Sequence, residues 1–416
     1  MGIRSLLVNV FGSRALSLLD ESNLFFNPVI SENQTVIIIG RITTALFIIL
    51  CLVAILYNLF RRKFQLPLQG ILLTVAGLFL YVPVIITSLV NDNSGFSYKL
   101  FFFPLFIITA YLLPRFDIRK KIQILLPIFS LFIFSSLLSL LIDPSWAASS
   151  YTEGWIGLPI RLCGTSSHPN GLGNIGLTLL ILSRFDNKKS FWNYLNIVAA
   201  IIVIILAQSK AVWITIAIWA LFEWIAKRIH YNRHPITKTL ATGLFFIICI
   251  ATYIFLFQKD LIYSLLGINI TLTGRIDVWQ ITINTWLENP ILGYGPNIWD
   301  YYFRQGYGFF WAGQAHNQFL QTLGESGIFG IVALFFYCYV VIKLGSKYAD
   351  VSNFASFGIV IAILTRSLFE TPLRNYSLDE SFLVHAIFFV ILLNSEPFLG
   401  KRNIVKIPVE SDPTTT

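Results

Sequence analysis

Long runs of uncharged apolar residues recur along most of this chain, and they restrict it to folds that lie within a lipid bilayer. Of its 416 residues, 56% are hydrophobic and only 12% are charged, whereas soluble domains carry about 25% charged residues. Because a helix needs about 20 apolar residues to cross a bilayer, we predict an all-α, polytopic membrane protein. The eleven predicted spans lie near residues 36–60, 66–90, 98–113, 122–142, 170–184, 191–207, 211–226, 238–257, 328–344, 354–370 and 381–394.

Lysine and arginine are concentrated in short connections between these spans, and the basic connections alternate along the chain. They include 61–63, 115–121, 184–189, 227–238, 343–347 and 401–406. By the positive-inside rule these connections lie in the cytoplasm. The net charge of +9 is therefore assigned to membrane orientation and to membrane lipids, and no nucleic-acid partner is expected.

The resulting organisation has five parts. Residues 1–35 form either an interfacial amphipathic segment or a poor first span, so the fold has about eleven or twelve transmembrane helices. Residues 36–257 carry membrane helices one to eight, and 328–394 carry helices nine to eleven. Between them, 258–327 forms a large helical loop on the external side, which we interpret as catalytic. Residues 395–416 form a cytoplasmic tail.

Within the external loop, Arg275 opens a short amphipathic pattern for which Thr273 is a suitable cap. A helix N-terminus favours phosphate, because its free N–H groups and dipole present positive charge. Arg275 opposes that dipole, so we expect it to have either an anionic ligand or an acidic neighbour such as Asp277 or Glu288.

Two histidines on the predicted external side are candidates for proton transfer. His316 precedes a second short amphipathic pattern, and its imidazole can accept a proton near neutral pH. His168 is a second possible base, but Pro169 follows it and a structural turn is the preferred interpretation.

The sequence contains no pattern typical of a metal site. The external carboxylates are scattered without paired spacing, and the four cysteines form no CxxC motif. We therefore expect neither a metal nor a cofactor, because cationic side chains can neutralise a phosphate leaving group instead.

Together these features resemble the bacterial O-antigen ligase and polymerase family of polytopic membrane glycosyltransferases. The resemblance covers roughly residues 160–345, and its short motifs follow in order. They are Gly164-Thr165, His168-Pro169-Asn170, Gln208-Ser209-Lys210, Gly274-Arg275 with Trp279, residues 290–295, His316-Asn317 with Leu320, and residues 327–330.

The resemblance implies a glycan donor on undecaprenyl diphosphate, a lipid-linked saccharide acceptor, and inverting transfer without a metal. It implies that Lys210 and Arg275 hold the diphosphate, that Arg161 is a further phosphate contact, and that His316 activates the acceptor. It also places the protein in the bacterial inner membrane as a multi-pass protein with a periplasmic active site. Many members have arginine at the position of Lys210, and lysine lacks the bidentate fork of arginine.

Three functions remain open at this point. Lys210 and the lack of an extended acceptor domain favour a polysaccharide polymerase over an O-antigen ligase, which would transfer the glycan to lipid A-core. A transporter or flippase of lipid-linked sugars would need ionisable residues near the bilayer midplane, whereas most charges here map to the ends of spans.

Overall fold

The computed structural model describes residues 34–61, 70–91, 96–113, 118–151, 156–186, 190–228, 275–309, 312–349, 352 and 354–393. The predicted eighth span (238–257), the Thr273 cap, most of the N-terminal segment and the C-terminal tail lie outside these residues.

The described chain is almost entirely helical, with one short β-hairpin. The elements in order are α1 (Gln34–Arg61), α2 (Ile71–Val90), a 3₁₀ turn (Tyr98–Phe101), α3 (Phe102–Leu112), α4 (Ile118–Ile142), α5 (Pro144–Ala147), β1 (Ala148–Ser150), β2 (Ile160–Leu162), α6 (Pro169–Asp186), α7 (Phe191–Ala207), α8 (Lys210–Arg228), α9 (Arg275–Glu288), α10 (Tyr301–Tyr307), α11 (Gln318–Lys347), α12 (Ala355–Phe369) and α13 (Glu380–Leu393).

The predicted fold class, an all-α polytopic membrane protein, is confirmed. Every predicted span that falls on described residues coincides with a helix. Within the described residues, four helical stretches are long and apolar enough to cross a bilayer: Ile38–Arg61, Ile71–Val90, Ile122–Ile142 and Gln318–Lys347. Shorter apolar helices, including α7, α12 and α13, pack among them. Many large apolar side chains point outward, such as Ile42 at 60% and Leu131 at 72% exposure, as expected of lipid-facing surfaces.

The connection between α4 and α6 contains a feature that the sequence did not predict. Strand β1 pairs antiparallel with β2, and Ser149 lies opposite Arg161. The Asp143 side chain accepts a hydrogen bond from the Trp146 backbone and caps the short helix α5 that leads into the hairpin. The hairpin fixes the position of Arg161.

Helix α11 is bent at Gly327, which has φ 60° and ψ −154°. Residues 290–293 pack into this bend, where the backbone N–H of Ile328 donates to the Pro290 carbonyl at 2.9 Å. A Cβ at position 327 would lie 2.3 Å from the Ile291 carbonyl oxygen, so the close approach requires glycine. Two motifs of the resemblance, 290–295 and 327–330, therefore contact each other and set the entry of α11.

Candidate functional site

Two of the predicted site residues, His316 and Arg275, lie near Glu370, which directly follows α12. Its Oε1 accepts a hydrogen bond from Asn170 Nδ2 at 2.8 Å, and its Oε2 accepts one from Gln314 Nε2 at 3.2 Å. The same Oε2 lies 3.5 Å from Nδ1 of His316. Only 13% of the Glu370 side chain is exposed, so this carboxylate is held largely inside the protein.

The cationic surroundings keep Glu370 ionised. Burial by itself would raise its pKa, but the hydrogen bond and charge of His316, together with the charges of Arg275 and His168, lower the pKa to about 2. A buried carboxylate with a depressed pKa marks a concentration of positive charge. Such a concentration is suited to bind an anion and to stabilise a developing one.

His316 is held by the residues on both sides of it. The Trp279 indole donates to the Ala315 carbonyl at 2.7 Å, and the Asn317 side chain accepts from the Leu320 backbone at 3.1 Å to cap α11. His316 itself has φ 50°, a backbone conformation that non-glycine residues seldom adopt outside functional or tightly constrained sites. This backbone directs the imidazole to Glu370.

An imidazole that donates Nδ1–H to a carboxylate carries its basic lone pair on Nε2. The His316 side chain is 23% exposed, so the ring remains accessible to a substrate.

Arg275 reaches the same place from the start of α9. Its guanidinium donates to the carbonyl of Phe369 at 3.1 Å, and its charge acts on the neighbouring Glu370. The helix is fixed by a small core in which Val278 and Trp279 pack with Ile298 and Trp299. The described hydrogen bond of Arg275 goes to a neutral oxygen and not to Asp277 or Glu288, the acidic neighbours considered from sequence.

Arg161 is linked to the same carboxylate through Asn170. From the middle of β2, its Nη2 donates to Asn170 Oδ1 at 2.8 Å and its Nε donates to the Ala207 carbonyl at 3.1 Å. The guanidinium also lies over the Tyr151 ring, 4.5 Å from the ring centroid. Asn170 therefore bridges Arg161 and Glu370 with the two ends of one amide.

Lys210 is the first residue of α8 and is half-buried. The corner before it is tied to the hairpin, since the Gln208 amide donates to the carbonyls of Leu158 at 3.1 Å and Ile160 at 2.6 Å. Lys210 thus begins its helix beside the strand that carries Arg161. Its participation in phosphate binding stays a prediction.

Sequence reasoning missed Glu370 and Gln314, and it gave Asn170 no role of its own. A signal for Glu370 was present: it ends the predicted span 354–370 one helical turn after Arg366, and charges at that spacing share a helix face. Arg366 is only 5% exposed, and its charge interacts with that of Glu370. No local pattern pointed to Gln314.

Arg374, in the connection between α12 and α13, has a structural partner. Its Nε donates to Glu325 Oε1 at 2.7 Å, and the Tyr376 hydroxyl donates to Oε2 of the same carboxylate at 2.7 Å. Arg374 also donates to the carbonyls of Gly313 and Pro296. This largely buried ion pair joins α11 to the connection between α12 and α13.

Across the described ranges, no group of three or more histidine, cysteine, aspartate and glutamate side chains is placed to hold a metal ion. The donors gathered at Glu370 are arginine, histidine and amide groups, a set suited to phosphate and hydroxyl oxygens.

A comparison with known protein families gives a match to part of the chain. Residues 195–335 match the family model described as O-antigen ligase. The matched region runs from α7 into α11 and contains Lys210, Arg275 and His316. No curated protein matches the chain. Residues 195–335 are therefore similar to the O-antigen ligase family, and the match covers about a third of the chain.

Proposed function

We propose that the protein is a polysaccharide polymerase. It transfers a glycan from undecaprenyl diphosphate to a hydroxyl of a lipid-linked acceptor at the outer, periplasmic face of the inner membrane, with inversion and without a metal. The observation that carries this proposal is the convergence of Arg275 and His316 on one buried carboxylate, Glu370.

The proposed reaction begins at the acceptor hydroxyl. Nε2 of His316 takes the hydroxyl proton while the oxygen attacks the anomeric carbon of the donor sugar. The bond between that carbon and the diphosphate oxygen breaks, and the electron pair leaves with undecaprenyl diphosphate. Glu370 stabilises the imidazolium that forms, because its negative charge lies 3.5 Å from His316 Nδ1.

The leaving diphosphate gains negative charge as the bond breaks, and fixed cations stabilise that charge in the transition state. Arg275 is suited to this role because its described hydrogen bond ends on the neutral Phe369 carbonyl, which a phosphate oxygen can replace. Arg161 and Lys210 complete the proposed diphosphate site.

The test uses the full-length protein in nanodiscs with a synthetic undecaprenyl-diphosphate-linked repeat unit. Polymer and released undecaprenyl diphosphate are measured together. His316→Ala and Arg275→Ala are expected to lose both products by at least about 100-fold. Arg304→Ala, a cation of the same predicted loop in α10, serves as the control and should retain activity. Wild-type polymer levels in Arg275→Ala would remove Arg275 from the site, and movement of the donor across the bilayer without release would favour a flippase.

The family description favours a second candidate, an O-antigen ligase, in which the same donor chemistry serves lipid A-core as acceptor. Supplying lipid A-core and the lipid-linked repeat unit separately distinguishes the two. Polymer formed only with the repeat unit supports the polymerase, and product formed only with lipid A-core supports the ligase.

A further inference from the structure

A second imidazole lies at the same carboxylate. His168 precedes α6, and its Nδ1 accepts a hydrogen bond from the Asn170 backbone N–H at 3.1 Å. Its ring interacts electrostatically with Glu370, Arg161 and His316, the groups that define the candidate site. The side chain is nevertheless exposed to solvent, as expected of a group that lines an open cleft.

The loop that carries His168 is fixed from the other side. Glu380, the first residue of α13, accepts from the Ser167 backbone N–H at 3.0 Å and from the Ser166 hydroxyl at 3.2 Å. Asn170, two residues after His168, joins Arg161 to Glu370. The imidazole is therefore positioned by the same contacts that assemble the site.

The hydrogen bond at Nδ1 determines what His168 can do. Because Nδ1 accepts from a backbone N–H, the neutral ring carries its proton on Nε2 and presents a donor there. Desolvation by the surrounding protein lowers the pKa of His168, and the charges of Arg161 and His316 lower it further, against the opposing effects of Glu370 and Glu380. The neutral form therefore prevails at neutral pH. His316, with Nδ1 directed to Glu370, has the opposite arrangement and presents a base.

We infer that His168 donates Nε2–H to a non-bridging oxygen of the donor's diphosphate, beside Arg161 and Arg275. This inference rests on the proposed function and divides the two imidazoles by role: His316 takes the acceptor's proton, and His168 holds the leaving group. In the described residues, no hydrogen bond is made by Nε2 of His168, which leaves that donor for a ligand.

Two substitutions separate this role from simple capping of α6. His168→Asn keeps an oxygen near the position of Nδ1, and asparagine is a good helix cap, but it removes the donor at Nε2. His168→Gln places an amide N–H near the position of Nε2. If His168 binds the diphosphate, His168→Asn should weaken binding of undecaprenyl diphosphate and lower glycan transfer by about 10- to 100-fold, the effect of losing a hydrogen bond to a charged group. His168→Gln should recover at least about half of that loss, on a logarithmic scale, and both variants should melt as the wild type does.

Binding of undecaprenyl diphosphate to the full-length protein in nanodiscs is measured separately from transfer. Inorganic diphosphate as competitor reports whether the headgroup alone is recognised. If wild type and His168→Asn bind undecaprenyl diphosphate equally well, the inference about His168 is wrong. This holds even if His316→Ala abolishes transfer and so supports the proposed function. If His168→Asn binds undecaprenyl diphosphate more weakly than wild type, the inference is supported. If wild type also shows no glycan transfer, the polymerase proposal fails but the diphosphate site remains supported. A wild-type protein that does not bind the lipid overturns both.

Discussion

The substitution Glu370→Gln tests the central claim that this carboxylate supports His316 as a base. The change keeps the shape of the side chain and one of its two hydrogen-bond acceptors, and it removes the negative charge. In the proposed reaction His316 becomes an imidazolium, and that cation would no longer have a carboxylate 3.5 Å from its Nδ1.

The magnitude follows from the geometry. Opposite unit charges 3.5 Å apart attract by about 5 kcal/mol at an effective dielectric constant of about 20. Solvent reaches 23% of the His316 side chain and 13% of Glu370, and screening reduces the usable part to about 2–3 kcal/mol. Since each 1.36 kcal/mol is about tenfold in rate, Glu370→Gln should lower kcat by about 30- to 150-fold.

The assay is single-turnover glycan transfer in nanodiscs, with donor and acceptor saturating so that the chemical step is observed. Glu288→Gln is the control, because Glu288 is an exposed acid at the end of α9, and its rate should match wild type. A Glu370→Gln rate within about twofold of wild type would refute the electrostatic role assigned to Glu370.

Four further outcomes are expected. Folding lowers the Glu370 pKa from 4.5 to about 2, so Glu370 contributes stability above about pH 4.5 that is lost as the pH falls toward 2. This contribution amounts to about 3 kcal/mol. If the free energy of unfolding falls equally with acid in wild type and Glu370→Gln, the contribution is contradicted. Gly327→Ala should destabilise by about 3 kcal/mol or more, because its Cβ would meet a backbone carbonyl at positive φ. Gly306→Ala, where a Cβ meets open space, should change stability by less than about 1 kcal/mol; equal melting temperatures for the two variants would refute the strain argument. Arg374→Met leaves the buried Glu325 without its ionic partner and should lower stability by about 3–5 kcal/mol. Adding Glu325→Gln to Arg374→Met should restore part of that stability, as measured by thermal melts. If the double variant shows no such recovery, the ion pair does not stabilise the protein as described. EDTA should leave transfer intact, and inhibition reversed by magnesium would contradict the metal-free mechanism.

Several elements of the site could be predicted locally. Arg275 begins a helix and His316 directly precedes one, as the amphipathic patterns indicated. The amphipathic pattern of α9 predicts an apolar stripe of Ile276, Trp279, Ile283 and Trp286. Within that stripe only Trp279 is buried, and the other buried positions of the helix are Val278, Thr282 and Thr285. The threonine hydroxyls can be buried because each donates to a carbonyl one turn earlier, a compensation that a hydrophobic pattern does not reveal.

The distant partners could not be predicted. Glu370 meets Asn170 across 200 positions of sequence and Gln314 across 56. Arg374 pairs with Glu325 across 49 positions. The β-hairpin that carries Arg161 was also missed, because its strands are three residues each and too short for a period to be recognised.

The sequence alone determined that this protein is a bundle of membrane helices. The length and polarity of each apolar run are local properties, and they decide for each segment whether it can span a bilayer. The sequence also determined which cations and histidines stand at the ends of those helices. Only the tertiary structure decided that Arg275, His168 and His316 lie around Glu370, and that Asn170 links Arg161 to the same carboxylate. Their meeting depends on how separate helices and loops pack. A buried charge is tolerated only when opposite charges and hydrogen-bond donors surround it, and at Glu370 those groups come from three distant parts of the chain: 161–170, Arg275 and 314–316.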